Sequence, residues 1–180
     1  MEPGETALYI GRFQPFHNGH MEVIRQIKEK HERIVIVIGS AEKSHEVDNP
    51  FTAGERYEMI YKSMKLNLMD LKSTHIIPVR DINRSNLYVK HIETMCPKFD
   101  LVYSRNKLIT YLFNEAGYVV PLPPIYYAGT VMDERLNSTN LRKMMASTYL
   151  DCMDGIPKGT IEVLNGIKAK DRINNMRGEM

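Results

Sequence analysis

The sequence predicts an α/β fold: a doubly wound parallel sheet of about five strands with helices on both faces, followed by C-terminal helices. Three observations predict it. Residues 7–11 (ALYIG) and 34–39 (IVIVIG) are continuously apolar runs ending in glycine, as strands buried on both faces are. Such runs alternate about five times with longer segments of helical period, the pattern of parallel strands joined by crossover helices. Right-handed crossovers then favour a Rossmann-like arrangement.

The elements follow in order. Between the first two runs, Val23, Ile24 and Ile27 share one helical face, with Arg25, Lys28 and Glu29 elsewhere. Thr52-Ala53-Gly54-Glu55 is a capping-box pattern, and Tyr57, Ile60, Tyr61, Met64 and Leu68 keep helical spacing after it. A strand at 74–79, a helix at 86–95, a strand at 101–103, a helix around 108–115 and a fifth short strand at 118–120 complete the alternation. Pro121, Pro123 and Pro124 end the regular part, and residues 126–137 read as a loop. Asn137 or Ser138 can cap a helix carrying Leu141, Met144, Met145 and Thr148. Ile161, Val163, Leu164 and Ile167 mark one more helix, and the polar stretch 171–180 is expected to be a disordered tail. The expectation is a single domain over 1–180, with a core at 7–146 and a C-terminal helical segment and tail at 147–180.

Composition narrows the function classes. The chain has 180 residues, 43% hydrophobic and 26% charged, with Lys and Arg totalling 24 against 22 for Asp and Glu. A net charge of +2 does not suggest a nucleic-acid coat or a membrane-surface binder. The two cysteines, Cys96 and Cys152, lie far apart and form no CxxC pair, so a reducing compartment is expected. The first residues lack a basic, then apolar, leader pattern, and the apolar run 34–38 is too short to span a bilayer. A cytoplasmic protein without nucleic-acid or membrane partners is the expectation.

Chemistry concentrates in residues 11–20 (GRFQPFHNGH), where the first strand gives way to the first helix. In an open parallel sheet that edge binds ligands, and a helix N-terminus offers backbone N–H groups to anions. Gly11 permits close approach of a ligand, Pro15 fixes the turn, and His17 and His20 project from the same side of a first helical turn. The arrangement suits a chain of phosphates. A lone histidine here would more simply cap or pack; two of them bracketing Asn18-Gly19 after Gly11-Arg12 are harder to explain that way. No GxxxxGK[ST] loop and no GxGxxG after a strand is present, which removes the main support for a kinase or a dehydrogenase. A zinc site on His17 and His20 would need a third ligand, for which His45, His75 and His91 qualify by residue type alone. No metal-ligating set is expected.

The segment resembles the HxGH motif of the nucleotidyltransferase superfamily, which also includes class I aminoacyl-tRNA synthetases. With residues 38–45 (IGSAEKSH), 49–56 (NPFTAGER) and 138–142 (STNLR), it resembles archaeal-type nicotinamide mononucleotide adenylyltransferases over about residues 9–145. The resemblance implies a Rossmann-like fold and a direct in-line attack of the nicotinamide mononucleotide phosphate on the α-phosphorus of ATP. The products are NAD and pyrophosphate, with Mg²⁺ bound mainly through the ATP phosphates. No protein nucleophile is needed, so positioning and positive electrostatics should carry the catalysis.

By the same resemblance, His17, His20 and Arg142 are the expected catalytic residues. Gly11, Arg12, Phe13, Ser138 and Thr139 hold phosphates, and Ser104 and Asn106 lie near the adenosine, although Arg105 stands where relatives often have glycine. Thr52 and Glu55 read as structural, and so does Arg56. For the acceptor, relatives commonly show D-I-x-x-N-x-x-W, whereas this chain has Asp81, Ser85 with Asn86 beside it, and Tyr88 at the tryptophan position. Tyrosine can still stack on a heteroaromatic ring. Relatives assemble as oligomers, so a homo-oligomer is expected. The alternatives are a sister enzyme with another phosphate acceptor, such as phosphopantetheine or FMN, and a nucleotide sensor without turnover.

Overall fold

The computed structural model describes residues 4–121, 137–147 and 153–178. Its sheet has four parallel strands, β1 (Thr6–Gly11), β2 (Arg33–Ile38), β3 (Thr74–Pro78) and β4 (Leu101–Ser104), in the order β3-β2-β1-β4. The helices are α1 (Asn18–Lys30), α2 (Ala53–Leu66), α3 (Ser85–Met95), α4 (Lys107–Glu115), α5 (Ser138–Ser147), α6 (Lys158–Gly166) and α7 (Ala169–Arg177). The described residues divide into two compact units, a sheet unit (4–12, 23–41, 70–121) and a helical unit (13–22, 42–69, 137–147, 153–178).

The fifth strand expected at 118–120 is corrected to a single bridge. Val119 sits opposite Leu101, and the Val102 N–H donates to the Val119 carbonyl at 3.0 Å. Gly117 turns the chain with φ 88° just before, and Pro121 just after has no N–H to give a ladder. Three residues between those limits leave room for one pairing.

In the sheet unit, Leu8 pairs with Val35 on one side and Val102 on the other. Leu8, Ile10, Val35, Val37 and Val102 form one core with Ile92 of α3 and Phe113 of α4. The alternate residues Ala7, Tyr9, Ile34 and Ile36 are equally buried, on the face that the right-handed β1-α1-β2 crossover covers with Ile24 and Ile27 of α1. Burial on both faces explains why these strands are continuously apolar rather than alternating. Each buried Leu, Ile or Val side chain here contributes about 1.5–3 kcal/mol. The strand order reverses direction between β1 and β4, so their carboxyl ends, Gly11 and Ser104, flank the switch point where doubly wound sheets bind ligands.

In the helical unit, α2 opens with the expected capping box: the Glu55 N–H donates to Thr52 Oγ1 at 3.2 Å, and the Thr52 N–H donates to Glu55 Oε2 at 2.9 Å. Arg56 is fully buried, and its Nε donates to the Thr52 carbonyl at 3.2 Å. α6 packs on α2 at Gly159, where a Cβ would stand 2.3 Å from the Ser63 backbone nitrogen. Beside it the buried hydroxyls of Ser63 and Thr160 meet at 3.1 Å.

The expected disordered tail at 171–180 is corrected for residues 171–177: they belong to α7, which packs with α5. Ala169 and Ile173, four apart, are its buried face, and Arg172 reaches Glu55 with both terminal nitrogens at 2.7 and 2.9 Å. Gly178, at φ 70°, ends the helix. Most of the loop expected at 126–137, Pro123, Pro124, Thr148 and Cys152 lie outside the described residues. Among the described residues no helix is long and apolar enough to cross a membrane.

Candidate active site

The phosphate-binding candidates of the helical unit are built on the segment that follows β1. Phe13 takes φ 53°, a left-handed conformation that a phenylalanine holds only under constraint, and it is buried with Phe16. The Gln14–Pro15 peptide is cis. Then α1 begins, with His17 just before it and His20 in its first turn. The His17 carbonyl accepts from the His20 and Met21 N–H groups at 2.9 and 3.1 Å. The two histidine rings stack with centroids 3.6 Å apart, and His20 also meets Phe13 edge-on at 4.9 Å and Phe16 at 5.6 Å. The His17 N–H donates to His20 Nδ1 at 3.3 Å. Acceptance at Nδ1 puts the proton of a neutral His20 ring on Nε2, making that nitrogen a donor suited to a phosphate oxygen.

α5 supplies the other arm. Asn137 is its cap: Oδ1 accepts from the Asn140 N–H at 2.8 Å, and the Asn137 carbonyl accepts from Leu141. With capping assigned to Asn137, the Ser138 hydroxyl donates instead to the Pro15 carbonyl at 3.2 Å. Arg142, one turn on, is buried. Its Nη1 donates to the Gln14 carbonyl at 2.9 Å, and its Nη2 reaches Asp48 at 3.0 Å and Thr139 Oγ1 at 3.4 Å. Thus His17, His20, Ser138, Thr139 and Arg142 come together around one turn of chain, as their spacing in sequence could not show. Asp48 is 77% exposed whereas the Arg142 side chain is 4% exposed, so the carboxylate meets a buried guanidinium from the solvent side.

The sheet unit gathers the remaining candidates at strand ends. Gly11 closes β1, with its carbonyl accepting from the Gly39 N–H at 2.9 Å, and Arg12 beyond it is exposed. Ser104 closes β4, is buried, and accepts at Oγ from the Asn106 N–H at 3.2 Å. The Asn106 side chain caps α4, accepting from Leu108 and Ile109 at 2.9 and 3.3 Å, so its amide oxygen has a structural task. Asp81 accepts a 2.8 Å hydrogen bond from Ser40, a residue at φ 48° just past the end of β2. Ser85 and Asn86 are exposed in the first turn of α3.

Tyr88 is half-buried, packed on the sheet core and edge-on to Phe113 at 6.4 Å. Burial pushes its phenol up to about 12, with the nearby Asp81 and Cys96 charges adding to the rise. Its ring therefore has a packing task as well as any contact with a ligand. Sequence reasoning missed Gln14, Asp48 and Arg172, each of which matters through a partner that no local pattern announces. Among the described residues, no cluster of three or more His, Cys, Asp or Glu could hold a metal ion.

Residues 8–144 match the cytidylyltransferase-like family. The nicotinamide-nucleotide adenylyltransferase of Saccharolobus solfataricus is 40% identical over 172 residues, covering 96% of each chain. That of Methanococcus aeolicus is 41% identical over 174 residues, covering 94% of each. Among solved structures, a bifunctional NMN adenylyltransferase/ADP ribose pyrophosphatase from Francisella tularensis, complexed with AMP, superposes with a TM-score of 0.68 at 20% identity. The match covers 96% of this chain and 52% of that one, and at this identity it is a likeness of fold.

Proposed function

The chain belongs to the nicotinamide-nucleotide adenylyltransferases within the cytidylyltransferase-like family, and on that footing we propose that it makes NAD from nicotinamide mononucleotide and ATP. The observation that carries the reading is identity near 40% along almost the whole chain to relatives of that name. A phosphate oxygen of nicotinamide mononucleotide bonds to the α-phosphorus of ATP. The bond from that phosphorus to the bridging oxygen breaks, and pyrophosphate leaves with the electron pair.

The residues take the following parts. His17 and His20 donate to the ATP phosphates as charge shifts to the leaving group, which the donor assigned to His20 Nε2 favours. Arg142 exchanges its exposed Asp48 partner for phosphate oxygens, while its bond to the Gln14 carbonyl keeps it aimed. Ser138 and Thr139 present hydroxyls and N–H groups at the start of α5. Gly11, Arg12 and Phe13 hold the phosphates near the junction, and Ser104 with Asn106 lies by the adenosine. Asp81, Ser85, Asn86 and Tyr88 receive the acceptor. Mg²⁺ enters with the triphosphate as part of the substrate. A homo-oligomer in the cytoplasm completes the proposal, and light scattering tests the assembly.

The deciding experiment supplies MgATP with nicotinamide mononucleotide, phosphopantetheine or FMN and follows NAD and pyrophosphate separately. NAD formation is the expected result. Pyrophosphate release only with another acceptor would transfer the reading to a sister enzyme, and no release with any of them would leave a nucleotide sensor.

A further inference from the structure

Gln14 stands three residues before His17, with 1% of its surface exposed. Its amide is matched to a single residue: Nε2 donates to the Phe51 carbonyl at 2.9 Å, and Oε1 accepts from the Phe51 N–H at 3.0 Å. Phe51 is itself fully buried. A side-chain amide places a donor and an acceptor side by side, so the two bonds fix both where Gln14 sits and which way it faces. A hydrocarbon of the same length would leave the Phe51 N–H and carbonyl buried without those partners.

The backbone of the same residue is engaged in a second direction. Its carbonyl accepts Arg142 Nη1 at 2.9 Å, and the next carbonyl, of Pro15, accepts the Ser138 hydroxyl at 3.2 Å. Gln14 therefore joins three stretches that are remote in sequence: the turn leading to the histidines, the stretch of chain before α2, and α5 at Arg142.

We propose that Gln14 is a positioning residue for adenylyl transfer, one that registers the His17–His20 turn against Arg142 so that their donors converge on the same phosphate oxygens. The inference rests on the adenylyltransferase reading above and adds to it a side chain that need not touch substrate. Loosening the amide lets the turn drift relative to the guanidinium. A misplacement of about 1 Å at a reacting centre can cost roughly 100-fold in rate.

The test compares wild type, Gln14→Met and Gln14→Glu in NAD formation from MgATP and nicotinamide mononucleotide, with the folded fraction measured by circular dichroism under each assay condition. Gln14→Met should lower kcat per folded molecule roughly 10- to 100-fold, with KM for nicotinamide mononucleotide little changed. Gln14→Glu sets a carboxylate against the Phe51 carbonyl at neutral pH, but once protonated it regains a donor and an acceptor. Its kcat relative to wild type should therefore climb as pH falls, while Gln14→Met stays low throughout. Wild-type kcat in folded variants, with only melting temperature reduced, would overturn the proposal and make Gln14 a packing residue. Should Gln14→Met fail to fold, a pH-independent kcat ratio for Gln14→Glu overturns it alone. If the wild-type enzyme forms no NAD, the adenylyltransferase reading is what fails, and the proposal falls with it.

Discussion

In the sheet unit, Leu8, Ile10, Val35, Val37 and Val102 are held by many apolar neighbours of the same kind, whereas in the helical unit Gln14, Glu55 and Arg142 are held by a few polar partners. Those partners are distant in sequence: Arg142 lies 128 residues from Gln14, and Arg172 lies 117 from Glu55. Apolar burial is non-directional, so one methyl group more or less is a modest change. A buried polar group that loses its partner costs its desolvation outright. The sheet unit should therefore tolerate conservative change, and the helical unit should respond sharply to it, in rate as well as in stability.

The largest expected effect lies at the histidines. His20→Ala should lower kcat roughly 100- to 1,000-fold, because its contact strengthens as charge develops on the leaving group. Steady-state kinetics decide it, and near-normal kcat in a folded variant would reduce His20 to a packing ring among Phe13, Phe16 and His17. Next is Gly159→Ala, which drives a methyl into the Ser63 backbone of α2 and should cost about 3 kcal/mol, read as a lower urea midpoint. Little change there would show that the two helices can part easily, which removes the sharpness claimed for this unit.

Glu55 offers a test by pH. Burial alone would raise its carboxyl, but hydrogen bonds from Arg172 and Thr52 outweigh burial and hold it below the ordinary 4.5. A lowered folded value means that this stability is present above the unfolded value and is lost as pH falls through the folded one. Glu55→Gln should therefore cost about 2 kcal/mol at neutral pH and flatten the loss of stability below about pH 4.5. Melting curves across that range check it, and parallel acid limbs for the two proteins would refute it. In the sheet unit, Ile36→Val should cost only about 1 kcal/mol by calorimetry and leave kcat unchanged. The smallest effect is a gain: Leu68, 93% exposed at φ 54°, should be relieved by about 0.5 kcal/mol on change to Asn. A loss there would mean that the exposed leucine is not merely tolerated.

What could be read from the sequence follows the same division. β1 and β2 were legible because strands buried on both faces write their state into every residue. The capping box at Thr52 was legible because both of its bonds close within three residues. The run at 118–120 misled because apolar residues signal burial but not how many ladder bonds a turn and a proline leave possible. α7 was hidden because its buried apolar residues are few, Ala169 and Ile173, and its polar attachment runs through Arg172 to Glu55 and the Pro50 carbonyl, both remote in sequence. At the site, GRFQPFHNGH and STNLR could be singled out by type and spacing. That they meet through Gln14, Pro15 and Ser138 could not, since hydrogen bonds across such separations leave no periodic trace.

The interleaving of the two units has a consequence for synthesis on the ribosome. Every described segment of the sheet unit has been translated by residue 121, so β1 to β4 can pair while the rest of the message is still being read. The helical unit has no such head start. The turn bearing His17 and His20 emerges early, but Arg142, Gly159 and Arg172 follow more than a hundred residues later, so its long-range contacts close last and slowest. A nascent chain stalled before α5 would carry its histidine turn without the partners that α5 gives Gln14 and Pro15, beside a sheet already formed.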